Sequence, residues 1–149
     1  MAKKPVWLFR QSAVIPYIIT NGKIEIVLIT SSNHNWIIPK GVVERFMTPE
    51  NSALMEAQEE AGVLGNVSSE VFSEYDYEKW GGICHVQVFL MEVTEILDSW
   101  QEIEKRERIV VSVPKAIELV KSDLKEIIRE FYQLKVINKT NNKPPDALK

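Results

Sequence analysis

The chain has 149 residues, 45% hydrophobic and 26% charged, enough for one globular domain with a real core, and a second domain is not expected. Eighteen basic against twenty-one acidic residues leave a net charge of −3, which argues against nonspecific affinity for nucleic acid or anionic membranes. The single Cys84 excludes an intramolecular disulfide and a cysteine-based metal site. No apolar run reaches the roughly 18 residues that span a bilayer, and the N-terminal MAKKPVWLFRQS lacks an apolar signal core, so a soluble cytoplasmic protein is expected.

In chain order, SAVIPYIIT and KIEIVLITS are β-rich runs joined by Asn21-Gly22, a strong hairpin signal that predicts antiparallel pairing. WIIP reads as a short third strand ended by Pro39, followed by a loop at Lys40 and Gly41. A helix then follows, with Thr48 as N-cap, Pro49 in the first turn, Glu50 against the positive end of the dipole and Gly62 as the stop. Ala53, Leu54, Ala57 and Ala61 give that helix a packing side. Beyond it, VSSEVFSEYDYE and ICHVQVFLMEV read as strands around a Trp80-Gly81-Gly82 turn, the second alternating Cys84, Val86, Val88 and Leu90 with His85, Gln87, Phe89 and Met91. DSWQEIEKRER is a polar connection and IVVS a short strand. Ser112 caps VPKAIELVK, and Ser122 restarts a helix whose Leu124, Ile127, Ile128, Phe131 and Leu134 face a core. The polar end from Asn138 is expected to fray, leaving residues 1–137 as the domain. Strands, helix, strands, helix make an α+β sandwich in which helices cover a mixed sheet.

The helix raises a problem of charge. At 3.6 residues per turn Glu56, Glu59 and Glu60 share an arc of roughly 100°, and like charges three or four apart cost an isolated helix about 0.2–0.5 kcal/mol per pair. Either the face is simply solvated, as charge runs on helices commonly are, or a cation compensates it. Hard oxygen ligands suit Mg²⁺ or Mn²⁺, which are held by a few carboxylates together with phosphate oxygens, so an acidic helix face beside a glycine loop reads as a phosphate-linked metal site.

Laid on Gly41, the spacing Gly41, Glu56, Ala57, Glu59, Glu60, Gly62, Val63 resembles the Nudix box. That box runs Gly, five residues, Glu, seven residues, Arg-Glu-apolar-any-Glu-Glu-any-Gly-apolar. RQSAVIPY, LITSSNHNWIIPKG, EEAGVLG, VTEILDSW and EKRER extend the likeness toward the diphosphoinositol polyphosphate phosphohydrolase branch, which includes enzymes acting on diadenosine polyphosphates. The resemblance implies a Nudix-type α/β/α sandwich and metal-assisted attack of water on a diphosphate linkage of a small phosphorylated substrate. It implies Glu56, Glu59 and Glu60 as catalytic and metal-binding groups, helped by a backbone carbonyl near Lys40 or Gly41, with Glu59 as ligand or base. Arg10, Lys40, Arg106 and Arg108 match the branch's basic residues, expected on the substrate. The sparse basic charge of EYDYEKWGGICH favours a nucleoside or dinucleoside polyphosphate over an inositol pyrophosphate. Two box positions depart: Met47 and Met55 stand where the resemblance implies a Glu–Arg pair bracing loop to helix. Two methionines in contact would be an apolar substitute for that brace. The alternative is a Nudix-fold module that binds a phosphorylated ligand without turnover.

Overall fold

The computed structural model describes residues 9–141, with side chains through Val136. Eight strands form one mixed sheet: β1 (Arg10–Thr20), β2 (Lys23–Thr30), β3 (Trp36–Ile37), β4 (Lys40–Val42), β5 (Val63–Val67), β6 (Ser73–Lys79), β7 (Gly82–Ile96) and β8 (Arg108–Ser112). The helices are α1 (Pro49–Glu56), continued by a π-helical turn over Ala57–Ala61, then α2 (Val113–Leu119) and α3 (Ser122–Asn141). β1 lies parallel to β7 at the centre, and the remaining pairs are antiparallel.

The expected hairpin forms. Asn21 and Gly22, at φ 52° and 79°, make a tight turn that sets Thr20 opposite Lys23. β1 pairs with β4 through Gln11–Ala13 and with β2 from Tyr17 onward, so Pro16 falls where the strand changes partner and its missing N–H is tolerated.

Alternation along β1 and β2 divides the core. Ala13, Ile15, Tyr17, Ile26 and Leu28 face α2 and α3, where they meet Val113, Ala116, Ile128 and Phe131. Val14, Val27 and Ile29 face the other way, onto Ala53, Ala57, Ala61 and Phe89. The result is the α/β/α sandwich. Ser112 caps α2 by accepting from the Lys115 N–H, and Tyr17 and Phe131 stack with centroids 5.3 Å apart.

Four local expectations need correction. Lys40 and Gly41 lie not in a loop but in β4, because the backbone after Pro39 returns along β1. VSSEVFSEYDYE is not one strand: β5 ends at Val67 and β6 begins at Ser73, each pairing with a different stretch of β7. The turn after β6 is Trp80-Gly81 alone, both with positive φ, and Gly82 is already in β7. Finally, α3 continues past Asn138 to Asn141, while the N-terminal residues 1–8 and the end from 142 to 149 lie outside the described residues. No helix among the described residues is long and apolar enough to cross a membrane.

Phe131 is fully buried between sheet and helix, whereas Phe46 is wholly exposed. Phe131→Ala should therefore lower unfolding free energy by about 3–5 kcal/mol, and Phe46→Ala should stay within about 0.5 kcal/mol of the parent, as read by urea denaturation.

Candidate active site

Thr48 Oγ1 accepts from the Asn51 N–H at 3.2 Å, which starts α1 on Pro49 and lays the helix across β4. Ser52 Oγ donates to the Val42 carbonyl at 3.3 Å and ties the two together. A Cβ at Gly41 would collide with the Glu56 carboxyl, so only glycine lets the strand pass this close to the helix. One turn on, Glu60 is 6% exposed, its Oε1 accepting from the Lys40 N–H at 3.0 Å and its Oε2 lying 3.5 Å from Arg106 Nη2.

The glutamates do not ride on a regular α-helix as expected. Ala57–Ala61 widen into a π-turn, and carbonyls at its end are taken from outside: Glu102 N–H donates to Glu59 O at 3.0 Å, and Arg108 Nη1 donates to Ala61 O at 2.9 Å. Gly62 closes the turn at φ 63°, with Trp100 and Arg108 packed where a side chain would stand.

Burial and mutual repulsion dominate the electrostatics. Desolvation first, then the charge of Glu60, a hydrogen bond shared with Glu60, and the charges of Glu59 and Glu102, push Glu56 up to about 8. Glu60 is raised by its own burial, against the Lys40 N–H and the Arg106 guanidinium that favour its charged form. The hydrogen bond lifts Glu56 and lowers Glu60, so Glu56 is the member that carries the proton.

The basic residues divide. Arg106 is at the site, donating from Nε to Glu102 Oε1 at 3.0 Å and from Nη1 to Thr30 O at 2.9 Å while facing Glu60. Lys40 reaches Glu60 through its backbone, and its ammonium, lowered in pKa by burial and then by Lys79, sits 4.1 Å over the Tyr77 ring. Tyr77 in turn donates to Gln11 Oε1 at 2.6 Å. Arg108 Nη1 is spent on the carbonyls of Ala61, Gly62 and Leu97, and its guanidinium lies 4.0 Å over Trp100, so it acts as a brace. Arg10 is exposed and lines a separate cavity of about 160 Å³ with Val43, Pro49, His85 and Gln87, which none of the three glutamates lines.

Glu102 is the site residue that sequence reasoning missed. It lies in the polar connection after β7, where no periodicity marks it, yet its charge raises both Glu56 and Glu60. The neighbouring EKRER run was the available signal. Met47 and Met55 are both half-buried, so neither stands in open water.

Among the described residues no three carboxylates or imidazoles stand ready-made around a common point, because Glu60 is turned to Lys40 and Arg106. The donor chemistry nonetheless fits a hard divalent ion. Glu56 and Glu60 share a proton where a cation would relieve them, and Ser12, opposite Gly41 in the β1/β4 pair, has a buried hydroxyl with no partner among the described residues.

A family model described as NUDIX domain matches residues 9–134. Nudix hydrolase 13, mitochondrial, of Arabidopsis thaliana is 30% identical over 139 residues, covering 85% of this chain and 68% of that protein. Diphosphoinositol polyphosphate phosphohydrolase 3-alpha of Mus musculus is 34% identical over 82 residues, covering 52% of this chain and 48% of that protein. The chain thus spans half to two thirds of the length of these relatives. The solved structure of a C. elegans Ap4A hydrolase binary complex shares the fold, with a TM-score of 0.68 at 21% identity over 84% of this chain and 96% of that one. The matched residues hold the glutamates, Gly41 and the Arg106–Arg108 clamp together, and the chain belongs to the NUDIX family of hydrolases.

Proposed function

We propose that this Nudix hydrolase cleaves a diphosphate linkage in a nucleoside or dinucleoside polyphosphate, with Mg²⁺ or Mn²⁺ held by Glu56 and Glu60. The observation that carries the reading is the pair of half-buried Glu56 and buried Glu60, sharing a proton beneath Gly41 within reach of the charges of Glu59 and Glu102. Glu56 feels the charges of Glu60, Glu59 and Glu102 where burial already disfavours its ionised form, and Arg106 answers only Glu60 and Glu102, so a further cation would relieve the repulsion. Bound there, a divalent ion supplies neutralisation of the diphosphate and a lowered pKa for the attacking water.

The chain's own residues do the rest. Glu59, half-buried beside the pair, serves as further ligand or as the base that takes the proton from water. Among the described residues Arg106 donates two hydrogen bonds of the five its guanidinium can make and sets Nη2 3.5 Å from Glu60, so its fork keeps donors for a phosphate oxygen. Lys40, whose ammonium lies over the Tyr77 ring, is the second basic group proposed for the phosphates.

Local charge supports the nucleotide class over the inositol pyrophosphate. β6 and its turn set Glu74, Asp76 and Glu78 against Lys79, and His85 is clasped by Asp76 Oδ1 at 2.6 Å and Glu74 Oε1 at 3.2 Å. That wall suits a nucleotide better than a densely anionic inositol pyrophosphate. A fully buried free Cys84 accords with a reducing compartment such as the cytoplasm.

The test is phosphate or nucleotide release from diadenosine tetraphosphate, ATP, ADP-ribose and an inositol pyrophosphate, with and without Mn²⁺. Turnover of a nucleotide should require metal and drop on the order of 10²-fold or more in Glu60→Gln; metal-independent turnover, or an undiminished mutant, refutes the assignment. A second prediction concerns the metal-free protein. Glu56 titrates near 8 when folded against 4.5 as the ordinary value, so the folded state binds the extra proton between those limits. This contribution to stability is full below about pH 4.5 and is lost as pH rises through about 8. The decline in thermal midpoint over that window should be smaller in Glu56→Gln, and Mn²⁺ should raise the midpoint more at pH 8.5 than at pH 6 because it displaces the proton. Identical pH profiles for parent and mutant would contradict it.

A further inference from the structure

We infer that the cavity between the 31–35 turn and the 103–107 loop takes the second nucleoside of a dinucleoside polyphosphate, an inference that rests on the nucleotide reading above. The cavity, about 330 Å³, is lined by His34, Ile103, Glu104, Lys105, Arg106 and Glu107, with Thr30 at its floor. Its size falls in the range of small-ligand pockets.

Position comes first. Arg106 is the wall shared with the catalytic carboxylates, facing Glu60 and Glu102 with some of its donors while it lines this cavity. A phosphate chain held at the glutamates therefore reaches the cavity by crossing a single guanidinium. The opposite rim is built with some strain. His34 holds φ 61°, a left-handed conformation uncommon for a residue other than glycine, asparagine or aspartate, although histidine tolerates it better than most. The turn enforces it: His34 N–H donates to Ser31 O at 2.9 Å, Ser31 N–H donates to Asn35 O at 2.8 Å, and Asn35 N–H donates to Ser31 Oγ at 3.1 Å. The imidazole delivered there makes no hydrogen bond among the described residues.

The lining then selects the ligand. Lys105 and Arg106 are offset by Glu104 and Glu107, so the cavity offers no net positive field for another polyanion. It offers instead an aliphatic surface on Ile103, 40% exposed, a flat imidazole, and two carboxylates with no protein partner among the described residues. A nucleoside is the neutral group that uses all three: its base stacks on the imidazole and isoleucine, and its ribose hydroxyls donate to the carboxylates.

The experiment measures KM for diadenosine tetraphosphate and for ATP with Mn²⁺ in the full chain, in His34→Ala and, as a second variant, Ile103→Glu. The expected result is a rise of about tenfold in the ratio of the dinucleotide KM to the ATP KM, with kcat for the dinucleotide within about twofold. An unchanged ratio, whether both constants move together or neither moves, overturns the second subsite. Turnover of neither nucleotide by the unmodified protein would instead overturn the nucleotide reading itself, and the subsite with it.

Discussion

The site depends on keeping one carboxylate dry. Glu60 is nearly sealed between helix and sheet, where an uncompensated charge would be expensive, and its two oxygens are satisfied from different directions. The Lys40 N–H comes from β4, which runs antiparallel beside β1, and Arg106 comes from the loop after β7. Remove either and the remaining group must hold the charge alone. Glu60 thereby links α1, β4 and the 97–108 loop, which are remote in sequence, and their spacing at Gly41 is set by the same requirement.

The 97–108 loop works as a clamp on the helix end. In an ordinary α-helix the last carbonyls look to water or to a capping motif. Here those of Glu59, Ala61 and Gly62 are met by the Glu102 N–H, by Arg108 and by the Leu97 N–H. Trp100 lies under Arg108 and against Gly62, so the guanidinium is held by stacking as well as by hydrogen bonds. External partners of this kind let the turn widen to i→i+5 without leaving polar groups unpaired. The clamp also delivers Glu102 to the cluster, which makes bracing and acid placement a single structural event.

What the sequence could reveal follows from this division. Asn21-Gly22, the Thr48 cap, the Ser112 cap and the alternation of β7 were legible because each is decided by neighbours a few residues away. The glutamate face was legible because spacing on a helix is local chemistry. β4 was not: a short strand at Lys40–Val42 exists only because β1 lies alongside. Nor was the π-turn, whose hydrogen-bonding partners sit some forty residues downstream, nor the role of Arg108, which reads in sequence as one more basic residue of EKRER. The residues on which helical spacing was silent are those whose function is set by tertiary partners.

The two methionines fit the same logic. A Glu–Arg pair at positions 47 and 55 would brace the β4–α1 connection, and its absence leaves that task to contacts already in place. Thr48 caps the helix, Ser52 holds Val42, and Glu60 holds Lys40, so three hydrogen bonds fix the connection and the helix that follows it. Electrostatically the exchange is less neutral. An arginine at 55 would stand four residues before Glu59 on the glutamate helix and would offset part of its repulsion. With methionine there, Arg106 is the cation that faces Glu60 and Glu102, and Glu56 responds by retaining a proton to about pH 8. The change therefore spares the scaffold and concentrates its effect on the carboxylates, which are left with a stronger demand for an external cation than the fuller box would impose.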